Sequence, residues 1–481
     1  MELARNAGLD EARLPKNSEQ TQVVGLALDS RALQPGFLFA AMRGQQVHGR
    51  KFVPLAITKG ASVLLTDAPV SGVVIPQWIV PDPALVLAKL AAAFYPQQPQ
   101  NLVAVTGTNG KSSTVEFLRQ IWQFAGRNAA CIGTLGITTQ TGCQDLGYTT
   151  PNSIVLHQGL QDLSERGVTD CALEASSHGL VQHRLDGVQI SAAGFTNLSQ
   201  DHFDYHIDFE NYFAAKQGLF LRLLPKGAPV VINVDDEYGA RLAGLCAEKG
   251  LDVWRMGWSG VQIKLLEIQP VTEGQQIQFK LNGAEHEVVL PLVGEFQTIN
   301  ALMALGLAVR TGTAPTVALA ALAGLSGVKG RLELAAVSRE QVPILVDFAH
   351  SPDGLQKLLQ SVRAYTKGRV IVVFGCGGAR DPHKRPMMGQ IATKYADLVI
   401  VTDDNPRSED PKKIRAAILK QAPDALEIED RQAAIQCAID QAKAGDLIVV
   451  TGKGHEQGQI IGNKVFPFDD AEIIRALVGD I

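Results

Sequence analysis

The chain has 481 residues, more than one core usually serves, so about two to four domains are expected and three fit the pattern below. Hydrophobic residues make up 46% and charged residues 19%, the balance of a globular protein, and a net charge of −5 gives no electrostatic case for nucleic acid. The six cysteines (Cys131, Cys143, Cys171, Cys246, Cys376, Cys437) lie far apart without Cys-x-x-Cys spacing, which argues against a zinc site or disulfide framework and for buried free thiols.

The start, Met1-Glu2-Leu3-Ala4-Arg5-Asn6, lacks a basic segment followed by an apolar one. No later stretch runs about 18 residues without a charge or breaker, so a cytoplasmic protein without membrane insertion is expected. From Val23 to about Val80, short β-like runs (Val24–Leu28, Phe37–Ala40, Ser62–Thr66, Trp78–Val80) and a helical pattern from Phe52 to Lys59 predict a small α/β domain, residues 1–98. Ser30 stands at a strand end, and residues 43–49 form a polar loop with two glycines and His48; alone, each reads as an ordinary turn. A helix from Ala84 to Tyr95 runs into Pro96-Gln97-Gln98-Pro99-Gln100, a linker.

The second domain, residues 99–330, opens with the apolar run Val103-Ala104-Val105 and breaks into Thr106-Gly107-Thr108-Asn109-Gly110-Lys111-Ser112-Ser113 before a helical pattern. This reads as strand, phosphate loop and helix. Glycines let backbone N–H groups turn around an anion, the helix start adds partial positive charge, Lys111 reaches the terminal phosphates, and Ser112 can coordinate Mg²⁺. Between Gly107 and Gly110 stand two residues, fewer than in the common P-loop spacing. ATP binding is the expectation. Further β-runs at Ala129–Ile132, Cys171–Glu174, Ala192–Thr196 and Pro229–Ile232, interleaved with helices, predict a mostly parallel doubly wound sheet whose ligands gather at strand C-terminal ends. Residues 260–292 look antiparallel, and an Ala/Leu-rich helix follows.

The third domain, residues 331–481, carries β-runs that end in polar loops: Ile344–Asp347, Val370–Phe374, Leu398–Thr402 and Leu447–Thr451. These predict a Rossmann-like α/β unit. Glu174 and His202 follow strands on the phosphate-loop edge and, with Ser112, could share divalent cations with ATP phosphates. Lys216 lies in an otherwise half-buried helical stretch, and composition alone makes it a snorkelling lysine.

Taken in order, Thr106-Gly107-Thr108-Asn109-Gly110-Lys111, Glu174-Ala-Ser-Ser-His178, Asp201-His202-Phe-Asp204-Tyr-His206, Ala215-Lys216, Gly330-Arg331-Leu-Glu333, Asp347-Phe-Ala-His350 and Gly452-Lys-Gly-His-Glu456 resemble the Mur ligases of peptidoglycan synthesis. Asp404-Asn405-Pro406-Arg407 is similar to the signature of their diaminopimelate-adding branch. The resemblance implies that ATP phosphorylates the D-glutamate side-chain carboxylate of UDP-N-acetylmuramoyl-L-alanyl-D-glutamate, and that an amine of meso-2,6-diaminopimelate attacks the acyl phosphate. It assigns Ser112 and Glu174 to one Mg²⁺, and His202 with a carbamylated Lys216 to a second; carbamylation requires the neutral amine, which burial favours. That reverses the compositional reading of Lys216. Lys111, Lys216 and His202 become the catalytic residues.

By the same match, Asn300, Arg331, Asp347 and His350 contact ATP; Thr149, Thr150, Ser177 and Arg184 hold the muramoyl dipeptide; Ser30 and His48 face its UDP end. Arg385, Asp404, Asn405, Pro406, Arg407, the carbonyl of Gly452, and Glu456 bind diaminopimelate. Arg407 is the specificity residue, since lysine lacks the second carboxylate and leaves a buried guanidinium unpaired. A monomer is expected. Three positions depart from the family pattern: Gln297 replaces asparagine, Phe348 tyrosine, and Ala379 aspartate. A lysine-adding homologue, a folylpolyglutamate synthase and a non-catalytic scaffold are the competing readings. They are disfavoured respectively by Arg407, by the extra first domain, and by retention of Lys111, Glu174, His202 and Lys216.

Overall fold

A computed structural model describes residues 2–9, 14, 21–44, 47–199, 208–271 and 274–479. Four parallel strands, Gly25–Ala27, Phe37–Ala41, Val63–Thr66 and Gln77–Ile79, pair in chain order in the first part. The helix Pro83–Phe94 covers one face: Asp82 caps it by accepting from Leu85 N at 3.0 Å, proline opens it, and Leu87, Leu90 and Ala91 pack on Leu38, Leu65 and Trp78. Ile154 of the next domain joins that cluster.

Among the described residues the central sheet has eleven strands. Across it run Ala284–Leu290, Gly274–Leu281, Ile263–Val271, Asp252–Gly257, Pro229–Asn233, Ala192–Phe195, Asn101–Thr106, Asp170–Glu174, Ala129–Gly133, Gly136–Thr139 and Gly142–Gln144. Its middle is parallel and both ends are antiparallel ribbons. Asn101–Thr106 explains why the middle strands are continuously apolar. Val103 and Val105 face one core with Leu118, Ile121 and Met303, while Leu102 and Ala104 face the other with Leu156, Leu160 and Leu242. Helices Lys111–Phe124 and Glu295–Arg310 supply the first layer, Ser153–Glu165 and Glu237–Lys249 the second.

The last sheet is ordered Glu333–Val337, Pro343–Asp347, Leu447–Thr451, Val370–Phe374, Leu398–Val401, Leu426–Glu427, parallel except for its first pair. Phe374 is level with Thr451 and Val401, and Thr451 with Asp347. Loops 348–351, 375–383, 402–410 and 452–457 therefore leave from one edge. A separate hairpin, Gly458–Ile461 with Lys464–Pro467, folds beside them. All six thiols are free; Cys131, Cys171, Cys246 and Cys376 are buried, whereas Cys143 is exposed. Among the described residues no helix is long and apolar enough to cross a membrane.

Candidate active site

The strand Asn101–Thr106 ends in a loop that only glycine can make at two points. Gly107 has φ +151° and Gly110 φ +87°, and a side chain on Gly110 would strike the Asn300 amide. Gly110 caps the fourteen-residue helix Lys111–Phe124, and Ser112 and Ser113 lie buried in its first turn. Lys111 Nζ donates to the carbonyls of Gly107 (2.9 Å) and Thr108 (2.8 Å), across the loop mouth. The neighbouring strand's loop clasps it. Thr196 Oγ1 donates to Asn109 O at 2.6 Å, Asn109 N donates to Asn197 Oδ1 at 3.1 Å, and Ser199 N donates to Thr108 Oγ1 at 3.0 Å.

Lys216 reaches the same loop from the helix Phe209–Gly218. It is 1% exposed, its Nζ donates to Gly107 O at 2.7 Å, and it lies 4.4 Å from the Tyr212 ring centre. It does not snorkel. His202, expected beside it, lies outside the described residues.

Glu174 ends the strand paired with the phosphate-loop strand and is also 1% exposed. Thr134 N donates to its Oε1 (2.8 Å) and Thr134 Oγ1 to its Oε2 (3.2 Å). Thr134 Oγ1 lies 3.5 Å from Ser112 Oγ and 3.1 Å from Thr149 Oγ1. Thr150 Oγ1 donates to Glu174 O at 2.7 Å and accepts from Ser176 N at 3.0 Å. Arg184 donates to Thr150 O and, at 2.7 Å, to Gln182 Oε1, and Ser177 is buried at the start of the adjoining helical turn. Ser30 and His48 stand apart in the first domain. Ser30 is buried behind the exposed Asp29–Arg31 pair, while His48 Nδ1 accepts from Arg50 N (3.2 Å) and its Nε2 faces Asp67 Oδ2 at 3.1 Å.

At the junction of the second and third domains, Asn300 Nδ2 donates to Gln297 Oε1 and Gln297 Nε2 to Arg331 O, both at 3.2 Å. The Gln297 amide, 1% exposed, is thus engaged at both ends. The Arg331 guanidinium lies 4.4 Å from the Phe348 ring centre, and Phe348 packs on His350 (4.6 Å) and His455 (5.1 Å). Asp347 accepts from Leu332 N (2.8 Å) and Ala349 N (2.7 Å); burial raises its carboxyl pKa against the pull of Arg331. Burial, then the Arg331 and Lys329 charges, hold the His455 imidazole neutral, with its pKa lowered to about 4. His350 is exposed, its Nδ1 2.9 Å from Phe348 O.

The acceptor-side candidates gather where the third sheet's loops meet. Arg385, 5% exposed, pairs with Glu409 at 2.9 Å and donates to Gly377 O at 3.3 Å. Its hydrogen bond lowers the Glu409 carboxyl pKa. Ala379 adopts φ +51° and donates its N–H to Glu409, so the position lacking aspartate is held by backbone instead. Asp404 Oδ1 accepts from Asn405 N at 2.6 Å; Asn405 Nδ2 donates to Glu456 Oε2 at 2.7 Å; Pro406 is buried between them and Arg407. Arg407, with φ +53°, donates from its guanidinium to Gly378 O at 3.0 Å. Gly452 has φ +112°, and a side chain there would meet the Asp404 carboxylate.

This arrangement has known counterparts. The descriptions "Mur ligase family, catalytic domain", "Mur ligase middle domain" and "Mur ligase, glutamate ligase domain" match residues 22–95, 105–308 and 330–454. Relatives from Brucella melitensis and Mesorhizobium japonicum are 47% and 48% identical, over 96% and 95% of this chain and the same shares of their own. The chain belongs to the Mur ligase family. Both relatives are named UDP-N-acetylmuramoyl-L-alanyl-D-glutamate–2,6-diaminopimelate ligase, as is a solved structure 31% identical that superposes with a TM-score of 0.69 over 95% of this chain and 94% of its own.

In this Mur ligase the oxygen set at Ser112, Thr134 and Glu174 contains one carboxylate, and among the described residues no three His, Cys, Asp or Glu side chains form a metal group. That donor chemistry fits Mg²⁺, which favours hard oxygens and takes much of its shell from phosphate and water. Sequence reasoning gives no role to Thr134 or Lys453. Thr134 follows a strand within Gly133-Thr134-Leu135-Gly136, a position at the ligand edge that could have marked it. Gln297 was noted as a departure, and the relay it forms is visible only in three dimensions.

Proposed function

We propose that this Mur ligase joins meso-2,6-diaminopimelate to the D-glutamate side-chain carboxylate of UDP-N-acetylmuramoyl-L-alanyl-D-glutamate, coupled to ATP cleavage in the cytoplasm. The carboxylate oxygen attacks the γ-phosphorus and ADP leaves; the acceptor amine then attacks the acyl carbon, phosphate leaves, and the amine gives up a proton. The observation that carries this reading is the Arg407 loop: a guanidinium held by backbone at Gly378 beside Asn405 and Glu456, in a chain nearly half identical to ligases named for that reaction.

An anionic carboxylate must approach a polyanion, so the site must supply positive charge. Lys111 at the loop mouth and the backbone N–H groups of residues 107–113 cradle the phosphates. Ser112 and Glu174 would hold one Mg²⁺, and His202 with Lys216 as a carbamate a second, and the metal would supply positive charge against that of the transferring group. Asn300, Arg331, Asp347 and His350 bind ATP from the domain junction. Thr149, Thr150, Ser177 and Arg184 hold the dipeptide, and Ser30 and His48 its UDP end. Arg385, Asp404, Asn405, Pro406, Arg407, Gly452 and Glu456 hold the distal centre of diaminopimelate: guanidinium groups for its carboxylate, Glu456 and the Gly452 carbonyl for its ammonium. Proposed domain limits are 1–98, 99–330 and 331–481.

Phosphate release with the UDP-dipeptide, ATP, Mg²⁺ and a panel of diamino acids tests the reading. Turnover with meso-diaminopimelate well above that with lysine is expected; a preference for lysine or for glutamate would overturn it.

A further inference from the structure

Lys453 has no role in the scheme above. It is the second residue of the loop after strand Leu447–Thr451, and its side chain is 0% exposed. An ammonium carries three N–H donors and no acceptor. Three acceptors surround this one: Gly458 O at 2.7 Å, Asn405 Oδ1 at 3.1 Å and Glu456 Oε2 at 3.3 Å. A lysine spread over a surface would hold none of them firmly; this one is matched donor for acceptor.

The consequence falls on Asn405. Its Oδ1 also accepts from Ile460 N at 2.9 Å, so two donors meet the oxygen, and rotating the amide by half a turn would set an NH₂ group against both. The orientation is therefore fixed with Nδ2 toward Glu456 Oε2 at 2.7 Å. Glu456 Oε2 in turn receives both Asn405 and Lys453. The same cation ties in the hairpin through Gly458 O, and the hairpin holds the specificity loop: Gln459 Nε2 donates to Asp404 O (2.8 Å), Arg407 N to Ile460 O (2.9 Å), and Gly462 N to Arg407 O (2.7 Å). Lys453 stands where loop 452–456, loop 404–407 and the hairpin meet.

We propose that Lys453 is a positioning residue that determines acceptor specificity: a buried cation that fixes Asn405 and Glu456 so that they and Arg407 meet a diamino dicarboxylic acid in a preset geometry. The proposal rests on the diaminopimelate reading. The three hydrogen bonds of Lys453 all go to the acceptor-side loops and the hairpin, so its loss should act on acceptor binding. Without it, the partly exposed Glu456 carboxylate has one donor fewer, and the amide orientation of Asn405 rests on Ile460 and Glu456 without the buried cation.

Steady-state kinetics on the full chain tests this with Lys453→Met and, should that variant not fold, Lys453→Gln, which keeps an N–H donor without the charge. Retained ADP-induced stabilisation against heat serves as the folding check. The expected result is a KM for diaminopimelate raised on the order of 10- to 100-fold, with kcat and the KM for ATP within about threefold of wild type. Lys453→Met combined with Glu456→Gln should lose less than the product of the single losses. An unchanged KM for diaminopimelate, equal losses in ATP and acceptor use, or additive effects would each overturn the proposal. Wild-type enzyme that turns over lysine but not diaminopimelate would instead overturn the reading beneath it.

Discussion

Lys216 and Lys111 both donate to the carbonyl of Gly107, which places two lysine Nζ groups, at 2.7 and 2.9 Å, on one atom of the phosphate loop. A bare ammonium beside Lys111 adds charge but no ligand for a metal, whereas a carbamate there supplies one. Lys216→Ala should therefore be nearly inactive, with partial recovery on adding a short carboxylate such as acetate to the assay; no recovery at any concentration would argue against the carbamate. Arg407 is proposed to act at the other end of the reaction. Its αL backbone is pinned through Ile460 and Gly462, so Arg407→Ala removes a guanidinium without moving the phosphate loop. We expect kcat/KM for diaminopimelate to fall on the order of 100-fold or more, with ADP affinity unchanged by calorimetry. Comparable loss of both would remove Arg407 from the specificity role.

Strands and helices carry the next set of consequences. The helix Ser153–Glu165 buries His157 with its Nε2 3.5 Å from Asp186 O, and burial lowers that imidazole pKa from 6.5 to about 4; His455 behaves alike. Both are neutral in the folded chain at pH 7. Unfolded, each takes up a proton near 6.5, so between pH 6.5 and 4 the unfolded state binds more protons and stability falls as pH falls. Each contributes up to roughly 3 kcal/mol across that window. His157→Gln should flatten the drop in urea midpoint between pH 7 and pH 5, and an equal drop in the variant would refute this. How far such elements were legible follows from their periodicity. The strands Val370–Phe374 and Leu447–Thr451 were readable as apolar runs ending in polar loops. Edge strands Glu333–Val337 and Leu426–Glu427 were not, because the alanines of Glu-Leu-Ala-Ala-Val suit a helix as well as a strand and the second is two exposed residues. Glu174 and Asn405 stand out in the sequence as parts of motifs, whereas the partners of Thr134 and Lys453 do not, since Glu174 and Asn405 respectively lie far from them along the chain.

Across the whole molecule, the site depends on how the third domain meets the second. Thr108 of the phosphate loop bonds Ser199 N and O, and Ser199 Oγ donates to Asp353 Oδ2 at 3.1 Å on the helix Pro352–Arg363. Gln297 Nε2 to Arg331 O, Gly294 N to the Tyr365 hydroxyl at 3.4 Å, and the Lys329–Asp469 ion pair at 2.9 Å are further bridges among the described residues. These are few polar links, a junction suited to hinge motion around bound nucleotide. Asp353 also pairs with Lys357 at 3.0 Å on its own exposed helix face, where a surface ion pair adds only about 0.5 kcal/mol or less. Asp353→Ala should therefore leave thermal stability nearly unchanged while freeing the third domain from the phosphate loop. Small-angle scattering of the nucleotide-free enzyme should then give a larger radius of gyration than wild type, and saturating ATP analogue should close the difference, because phosphate-loop and Arg331 contacts replace the lost bond. Identical scattering curves for the two proteins without nucleotide would mean that this hydrogen bond does not govern the domain arrangement.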